Sequence, residues 1–305
     1  MRIERRTVIL LFAVVIIFWG LNWPVVKLLV RHMPPLWSAS LRCLIAAFAV
    51  LAVQCATHNF VIPRKQDVSI ILVIGILNMA VGPALMAVGL QYIPAGRSAV
   101  LGYTSPLWVA PGAWFFLHET LSARKIAGIV IGLCGVIVLC NPLAVDFANN
   151  ELLLGHALLL LNAFSWAAAI LCIRAHVWYS TPFQLIFWQT LLAAILLAVT
   201  AFILEGPPFF TVTTSLVLLL AYCGIPATAL AFWAMTVINA SLPAVTTSLG
   251  VLLAPVVGIM GSSVFLGEGI DLPLAVSACL IIGGIALGAI EPARHQRART
   301  TSGPG

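Results

Sequence analysis

The chain reads FFLHETL at residues 115–121 and VFLGEGI at 264–270, two segments 149 positions apart. Working outward at the same offset, Gly75 falls on Gly224, Met86 on Met235, Pro94 on Pro243 and Ala95 on Ala244. Pro106 falls on Pro255, Leu117 on Leu266, Glu119 on Glu268 and Gly135 on Gly284, with no gap anywhere in the run. Nearly everything between these anchors is apolar, so the duplicated unit is a set of membrane helices. Paired repeats in a polytopic membrane protein are the usual architecture of a carrier whose site lies where the repeats meet.

Composition agrees. The chain is 62% hydrophobic and 8% charged, with a mean hydropathy of +1.12. A soluble domain carries about 25% charged residues, so this polypeptide lacks a polar shell. At ~20 apolar residues per crossing, ten spans are predicted: 7–30, 37–56, 68–90, 97–117, 123–139, 152–173, 182–204, 213–235, 244–266 and 272–290. The fold class expected is all-α integral membrane. Five helices fall in a first repeat over 7–141 and five in a second over 151–291, followed by a disordered cytoplasmic tail over 292–305.

The basic leader (Arg2, Arg5, Arg6) precedes an apolar run longer than a secretory h-region and without a small-residue cleavage site, which favours an uncleaved signal-anchor helix. The seven cysteines lie within or at the ends of apolar spans without a CxxC, and read as packing residues rather than a disulfide frame or a metal site. With both termini in the cytoplasm, the inner side collects most of the Arg and Lys, among them Arg64, Lys65, Arg124, Lys125 and Arg174. The outer loops carry Arg31 and the acidic Asp146, Glu151, Glu205, Glu268 and Asp271. This is the positive-inside pattern, so the net charge of +6 signals topology and not nucleic-acid binding. An odd number of spans per repeat then inverts the second half, and exchange of the two halves' roles supplies alternating access.

Several residues need an account beyond the scaffold. Glu119 and Glu268 keep one internal position in both halves at opposite membrane faces, which favours a structural over a coupling role. Pro106 and Pro255 sit about ten residues into their spans, where proline frees a carbonyl and bends the helix; a gating kink and a packing role are both open. Small residues at Gly250, Ala254, Gly258 and Gly261, and the pairs Gly128/Gly132 and Gly284/Gly288, read as close helix approaches.

Trp19, Trp108 and Trp166 lie near mid-depth, about 17–21 Å from their span starts. Trp19, Asn22, Trp23 and Lys27 share one helical face. A buried indole requires an N–H partner, which a polar cavity provides; simple space filling or lipid contact is the competing account. Lys27, Arg42 and Arg97 lie toward the outer ends of their spans. Snorkelling explains them, as does a cationic cluster with Asn22, Asn78 and Tyr103 that holds a carboxylate. None of the nine acidic residues falls deep within a span, and only His156 is a partial proton-relay candidate. That favours a facilitator or exchanger over a proton antiporter.

Through Trp19-Gly20-Leu21-Asn22-Trp23…Lys27, Arg42, the Pro…Leu-x-Glu pattern ending spans 4 and 9, and the glycine-rich spans 5 and 10, the chain resembles the EamA type of the drug/metabolite transporter superfamily. The resemblance covers residues 7–290. It implies ten helices with spans 5 and 10 as outer supports around a central cavity, and export of metabolites or drugs. The tryptophan content is similar to the YddG-like branch, which implies aromatic amino-acid export. The expected substrate-binding set is Trp19, Asn22, Trp23, Lys27, Arg42, Asn78, Tyr103, Trp108 and Trp166, with Pro106 and Pro255 as kinks. A multidrug or threonine/homoserine-type exporter is the alternative.

The expected setting is the bacterial inner membrane, with a monomer, a small-molecule solute and the bilayer, and without cofactor, metal or nucleic acid. An enzyme is disfavoured: His118-Glu119 lacks the second His of HExxH, and no GxSxG is present.

Overall fold

Backbone polar groups in hydrocarbon must be satisfied within the segment, so apolar spans become helices. The computed structural model describes residues 5–118, 121–140, 150–241, 251 and 253–289. Among the described residues the chain is all-helical, without strands. Glu119, Asp146, Ala244, Gly250 and the tail over 292–305 lie outside them.

The first elements are α1 (Arg5–Leu29), α2 (Pro35–Ala56), α3 (Val68–Val73) running through a π-helical stretch (Ile74–Val81) into α4 (Gly82–Tyr92), α5 (Ala95–Gly102), α6 (Ser105–Leu117) and α7 (Ala123–Cys140). There follow α8 (Asn150–Ala175), α9 (Pro182–Leu204), and α10 (Thr214–Gly224) running through a second π-helical stretch (Ile225–Leu230) into α11 (Ala231–Ser241). We number Ala254–Leu266 as α12 and Leu272–Ala289 as α13. Among the described residues seven stretches are long and apolar enough to cross a membrane, and α12 and α13 are shorter apolar helices.

The fourth predicted span departs from a bent continuous helix. It breaks at Tyr103–Thr104 into α5 and α6. Pro106 has no N–H to offer the Gly102 carbonyl, so the helix stops. The Thr104 hydroxyl donates to the Leu101 carbonyl at 2.6 Å, and a new helix starts with proline in its first turn. Pro255 likewise sits in the first turn of α12. Pro106 therefore restarts a helix rather than kinking one, and Pro255 stands at the start of its helix. His118 (φ 53°) and Gly267 (φ 68°) then end α6 and α12 in the left-handed region at the same internal position.

The two π-helical stretches also fall at matching positions and follow from proline. Pro83 cannot serve the Met79 carbonyl, which takes the Cys43 thiol at 3.4 Å. The Gly82 N–H reaches back to Leu77, whose carbonyl also takes the Ser165 hydroxyl at 2.7 Å. In the second half, Pro226 opens the π-helical stretch, and the Thr228 hydroxyl donates to the Cys223 carbonyl at 2.7 Å.

The most extensive seams join the two halves. α7 crosses α13, α2 packs along α9, and α1 lies on α12 while α8 lies on α5 and α6. At the α7–α13 crossing, Gly128 abuts the backbone of Gly284 and Gly288, and Gly284 abuts that of Gly128 and Gly132. The two GxxxG pairs thus face each other backbone to backbone. On α12, Gly258 lies against the Gly20 backbone of α1, and Gly261 leaves room for the Leu21 and Pro24 side chains.

Carboxylates fasten these seams at their rims. Glu205 accepts from the Leu36 and Trp37 N–H groups at 2.8 and 3.1 Å, capping α2 from the far half. The Trp37 indole donates to the Gly206 carbonyl at 3.0 Å. Asp67 reciprocates, taking the Ser180 N–H at 3.2 Å and its hydroxyl at 2.7 Å just ahead of α9, where Trp188 donates to Val61 at 2.9 Å.

A side chain at Gly284 would have to displace backbone, whereas one at the neighbouring Gly283 meets nothing within 4 Å. Gly284→Val is therefore expected to cost about 1–3 kcal/mol, and Gly283→Val little. Thermal unfolding of the two variants in detergent is the measurement, and equal melting temperatures would refute the backbone seam.

Candidate functional site

The second π-helical stretch sets the first wall of the site. The Ala231 N–H bonds the Pro226 carbonyl instead of that of Ala227. The Ala227 carbonyl accepts from the Trp19 indole of α1 at 3.1 Å. So fixed, Trp19 meets Trp166 edge-on (6.1 Å, 76°) and Phe232 edge-on (5.4 Å, 66°), while Trp166 and Phe232 lie nearly parallel at 6.1 Å. These are favourable aromatic arrangements. They gather one ring from α1, one from α8 and one from α11, so the wall belongs to both halves.

Polar side chains surround it. Arg42 on α2 is buried and donates through Nη2 to the Thr228 hydroxyl at 3.4 Å, next to the carbonyl that holds Trp19. Asn22, one turn beyond Trp19, is buried and donates through Nδ2 to the Met86 sulfur at 3.8 Å. Asn78 is buried within the first π-helical stretch. Asn162, on α8 one turn before Trp166, is also buried and lies between Gly82 and Gly102. Sequence reasoning passed over it, although a lone amide at mid-depth of an apolar span is itself a signal.

The structure therefore brings Trp19, Asn22, Arg42 and Trp166 around one region and adds Asn162, Thr228 and Phe232. Of the others in the expected set, Trp23 borders this region, meeting Asn162 at Gly102, and the rest make the contacts that follow. Trp23 is buried in the main core, its ring 6.3 Å from Tyr103 and pressed against the backbone at Gly102, where any side chain would collide with it. Tyr103 occupies the break between α5 and α6. Trp108 stacks on Phe164 at 4.2 Å and donates to the Thr104 hydroxyl at 3.4 Å. Phe164 and Trp166 are two residues apart on α8, which puts Trp108 on the other side of that helix from the Trp19 wall.

The three cations do not cluster. Lys27 donates to the main-chain carbonyls of Leu90 and Ile93 at the end of α4, the latter at 2.9 Å. Arg97 forms an ion pair with Asp271 from the opposite half. Arg42 alone faces the aromatic wall. The carboxylate of Glu268 accepts from the Ala95 and Gly96 N–H groups at 2.8 and 2.9 Å, and so caps α5 rather than the helix that follows it. Around this cap Pro94, Arg97, Glu268, Asp271 and Leu274 line a small cleft of about 190 Å³. His156 is buried, with Nδ1 2.8 Å from the Leu152 carbonyl. Among the described residues no group of three or more His, Cys, Asp or Glu is placed to hold a metal.

Comparison with known proteins gives these features a context. The EamA-like transporter family matches residues 6–141 and again 153–289. A probable amino-acid metabolite efflux pump of Salmonella typhimurium is 29% identical over 282 residues, covering 89% of this chain and 91% of its own length. The uncharacterized transporter YvbV of Bacillus subtilis is 27% identical over 284 residues, covering 93% and 92%. A crystal structure superposes with a TM-score of 0.66 at 22% identity, over 93% of this chain and 98% of that one, which speaks to the fold alone.

The Arg97–Asp271 pair carries a pH signature. Burial opposes ionisation of Asp271, but the Leu274 N–H and the Arg97 guanidinium outweigh it and hold the carboxyl below its ordinary range. A depressed folded pKa contributes stability above the unfolded value of about 3.9, lost as pH falls through the folded value. The difference in melting temperature between wild type and Asp271→Asn is expected to stay level from about pH 8 to about pH 5 and to close below about pH 4. A difference that changes across neutral pH would rule out this pair as its source.

Proposed function

The chain belongs to the EamA-like transporter family, whose match spans it twice, and on that premise we propose that it exports amino acids, aromatic ones first, through a central site shared by its two halves. It is a membrane transporter and not an enzyme. The observation that carries the substrate reading is the triangle of Trp19, Trp166 and Phe232 beside the buried guanidinium of Arg42. A planar apolar side chain fits against the rings, and a carboxylate fits the cation. The relative named as a probable amino-acid metabolite efflux pump supports the same class.

The proposed cycle is alternating access between two inverted five-helix repeats, 7–141 and 151–291, with both termini on the cytoplasmic side of a bacterial inner membrane. The matching prolines in the first turns of α6 and α12, the matching π-helical stretches and the seams between the halves support that symmetry. Energetically the reading is a facilitator or exchanger. Among the described carboxylates, Asp67, Glu205, Glu268 and Asp271 are engaged in hydrogen bonds that serve the fold, and Glu151 is exposed in the first turn of α8.

Flux of labelled tryptophan, phenylalanine and threonine into proteoliposomes, without an imposed ion gradient, is the test. Saturable tryptophan or phenylalanine flux is expected, reduced about tenfold in kcat/KM by Trp19→Ala or Trp166→Ala, in line with loss of one aromatic contact from an apolar pocket. Flux that appears only with a proton gradient would keep transport and overturn the facilitator reading. Absence of amino-acid flux under both conditions would sink the substrate class.

A further inference from the structure

The central site contains two buried amide oxygens that accept from no group among the described residues: Oδ1 of Asn22 and Oδ1 of Asn162. Both residues are more than nine-tenths buried, at 7% and 3% exposure. A buried polar atom without a partner is costly, and native structures retain one where a ligand or water completes it. Their orientations have a physical reason. Asn22 turns its NH2 toward the Met86 sulfur, a weak acceptor, which leaves the oxygen as its free end. The Asn162 oxygen lies 3.2 Å from the position a Gly82 side chain would occupy, and the Trp166 indole nitrogen lies 3.0 Å from that same position.

Gly82 and Met86 are one turn apart on α4, so the two amides flank a single face of that helix. Asn22 comes from α1 and Asn162 from α8, one from each half. The Trp19–Trp166 contact ties both to the aromatic wall, since each amide is one helical turn from one of these indoles. Beside Thr228, next to the Ala227 carbonyl that holds Trp19, Nε of Arg42 is also buried without an acceptor among the described residues. The site thus has a donor pole at Arg42 and an acceptor pole at the two amides.

We propose that Asn22 and Asn162 read the ammonium group of the solute through their side-chain oxygens, so that the carrier selects molecules bearing a protonated primary amine. This rests on the amino-acid reading above and adds the residues that discriminate. Arg42 takes the carboxylate, the rings take the side chain, and the amides take the remaining N–H donors. Neutral amide oxygens suit a carrier better than carboxylates here. They hold an ammonium by ion–dipole attraction, and a solute must leave as readily as it enters.

The experiment is competition against labelled tryptophan flux in proteoliposomes of the full chain. Tryptamine and tryptophan methyl ester keep the amine, whereas N-acetyltryptophan and indole-3-propionate lack its charge. The amine-free analogues are expected to compete at least about tenfold more weakly than tryptophan, because a site built around a donor rejects an analogue without it. Asn162→Leu should shrink that gap to about threefold or less, and Asn162→Asp, which keeps the acceptor oxygens, should restore it. Equal competition by N-acetyltryptophan, or an unchanged gap in Asn162→Leu, would overturn the amine assignment while tryptophan flux left the transport reading standing. If Asn162→Leu fails to fold, the wild-type competition series decides alone. No wild-type flux of tryptophan would remove the substrate reading and the amine assignment with it.

Discussion

Helix starts expose N–H groups that the hydrocarbon cannot serve, and at two starts of the first half carboxylates from the opposite half serve them. Glu205 holds the start of α2 and Glu268 the start of α5, both reaching back from the second half. Asp67 of the first half binds the residue just ahead of α9. Each contact satisfies donors that would otherwise be orphaned, places negative charge against the positive end of a helix, and fixes how far one half stands from the other. Among the described residues Asp67, Glu205 and Glu268 are taken up by this arrangement at the rims, and the central site is built of aromatic rings, amides, a hydroxyl and the Arg42 guanidinium.

Within that frame the site depends on backbone irregularity. In a regular α-helix each interior carbonyl already holds one N–H and points along the axis. In the π-helical stretch after Pro226 the Ala231 N–H passes over the Ala227 carbonyl, and that acceptor orients the indole at the centre of the aromatic wall. In the first half, the irregularity around Pro83 brings Ser165 of α8 onto the Leu77 carbonyl. The break at Tyr103 similarly lets Trp23 lie against bare backbone at Gly102. Irregular backbone at membrane depth is tolerated where protein surrounds it, and here each irregularity positions a side chain of a neighbouring helix.

Much of this was legible in the sequence, and the parts that were not share a cause. Span positions follow from apolar run length, and the GxxxG contacts from spacing. The family follows from the duplicated Leu-x-Glu ends and the helix 1 motif. Pro106 announced an irregularity, but sequence alone does not distinguish a bend from a stop followed by a restart. The π-helical stretches have no residue signature beyond a proline at one edge. Arg97 read as a member of a cationic cluster because its partner, Asp271, lies 174 residues away. The same holds for Glu268, whose beneficiaries lie 173 and 172 residues back. Pairings between halves are set by the inverted packing, which the order of residues does not display. Asn162 is different: its position within an apolar helix was visible, and only its convergence with Asn22 on α4 required three dimensions.

The reciprocal caps also bear on how the chain can be divided or rebuilt. A repeat that ends its own helices with its own residues is a module, and can be swapped, circularised or expressed by itself. Here the α2 and α5 starts of the first half are finished by Glu205 and Glu268 of the second, whereas α9, α10 and α13 are capped by Thr181, Thr213 and Asp271 of their own half. The first half therefore does not hold a complete set of its own helix starts. Exchanging one half for that of a relative would have to carry matching carboxylates at positions 205 and 268 together with the helix starts they serve, and Asp67 together with its partner Ser180. The duplication is thus locked in place by its hydrogen bonds: two copies that began as one unit have become interdependent parts of a single object.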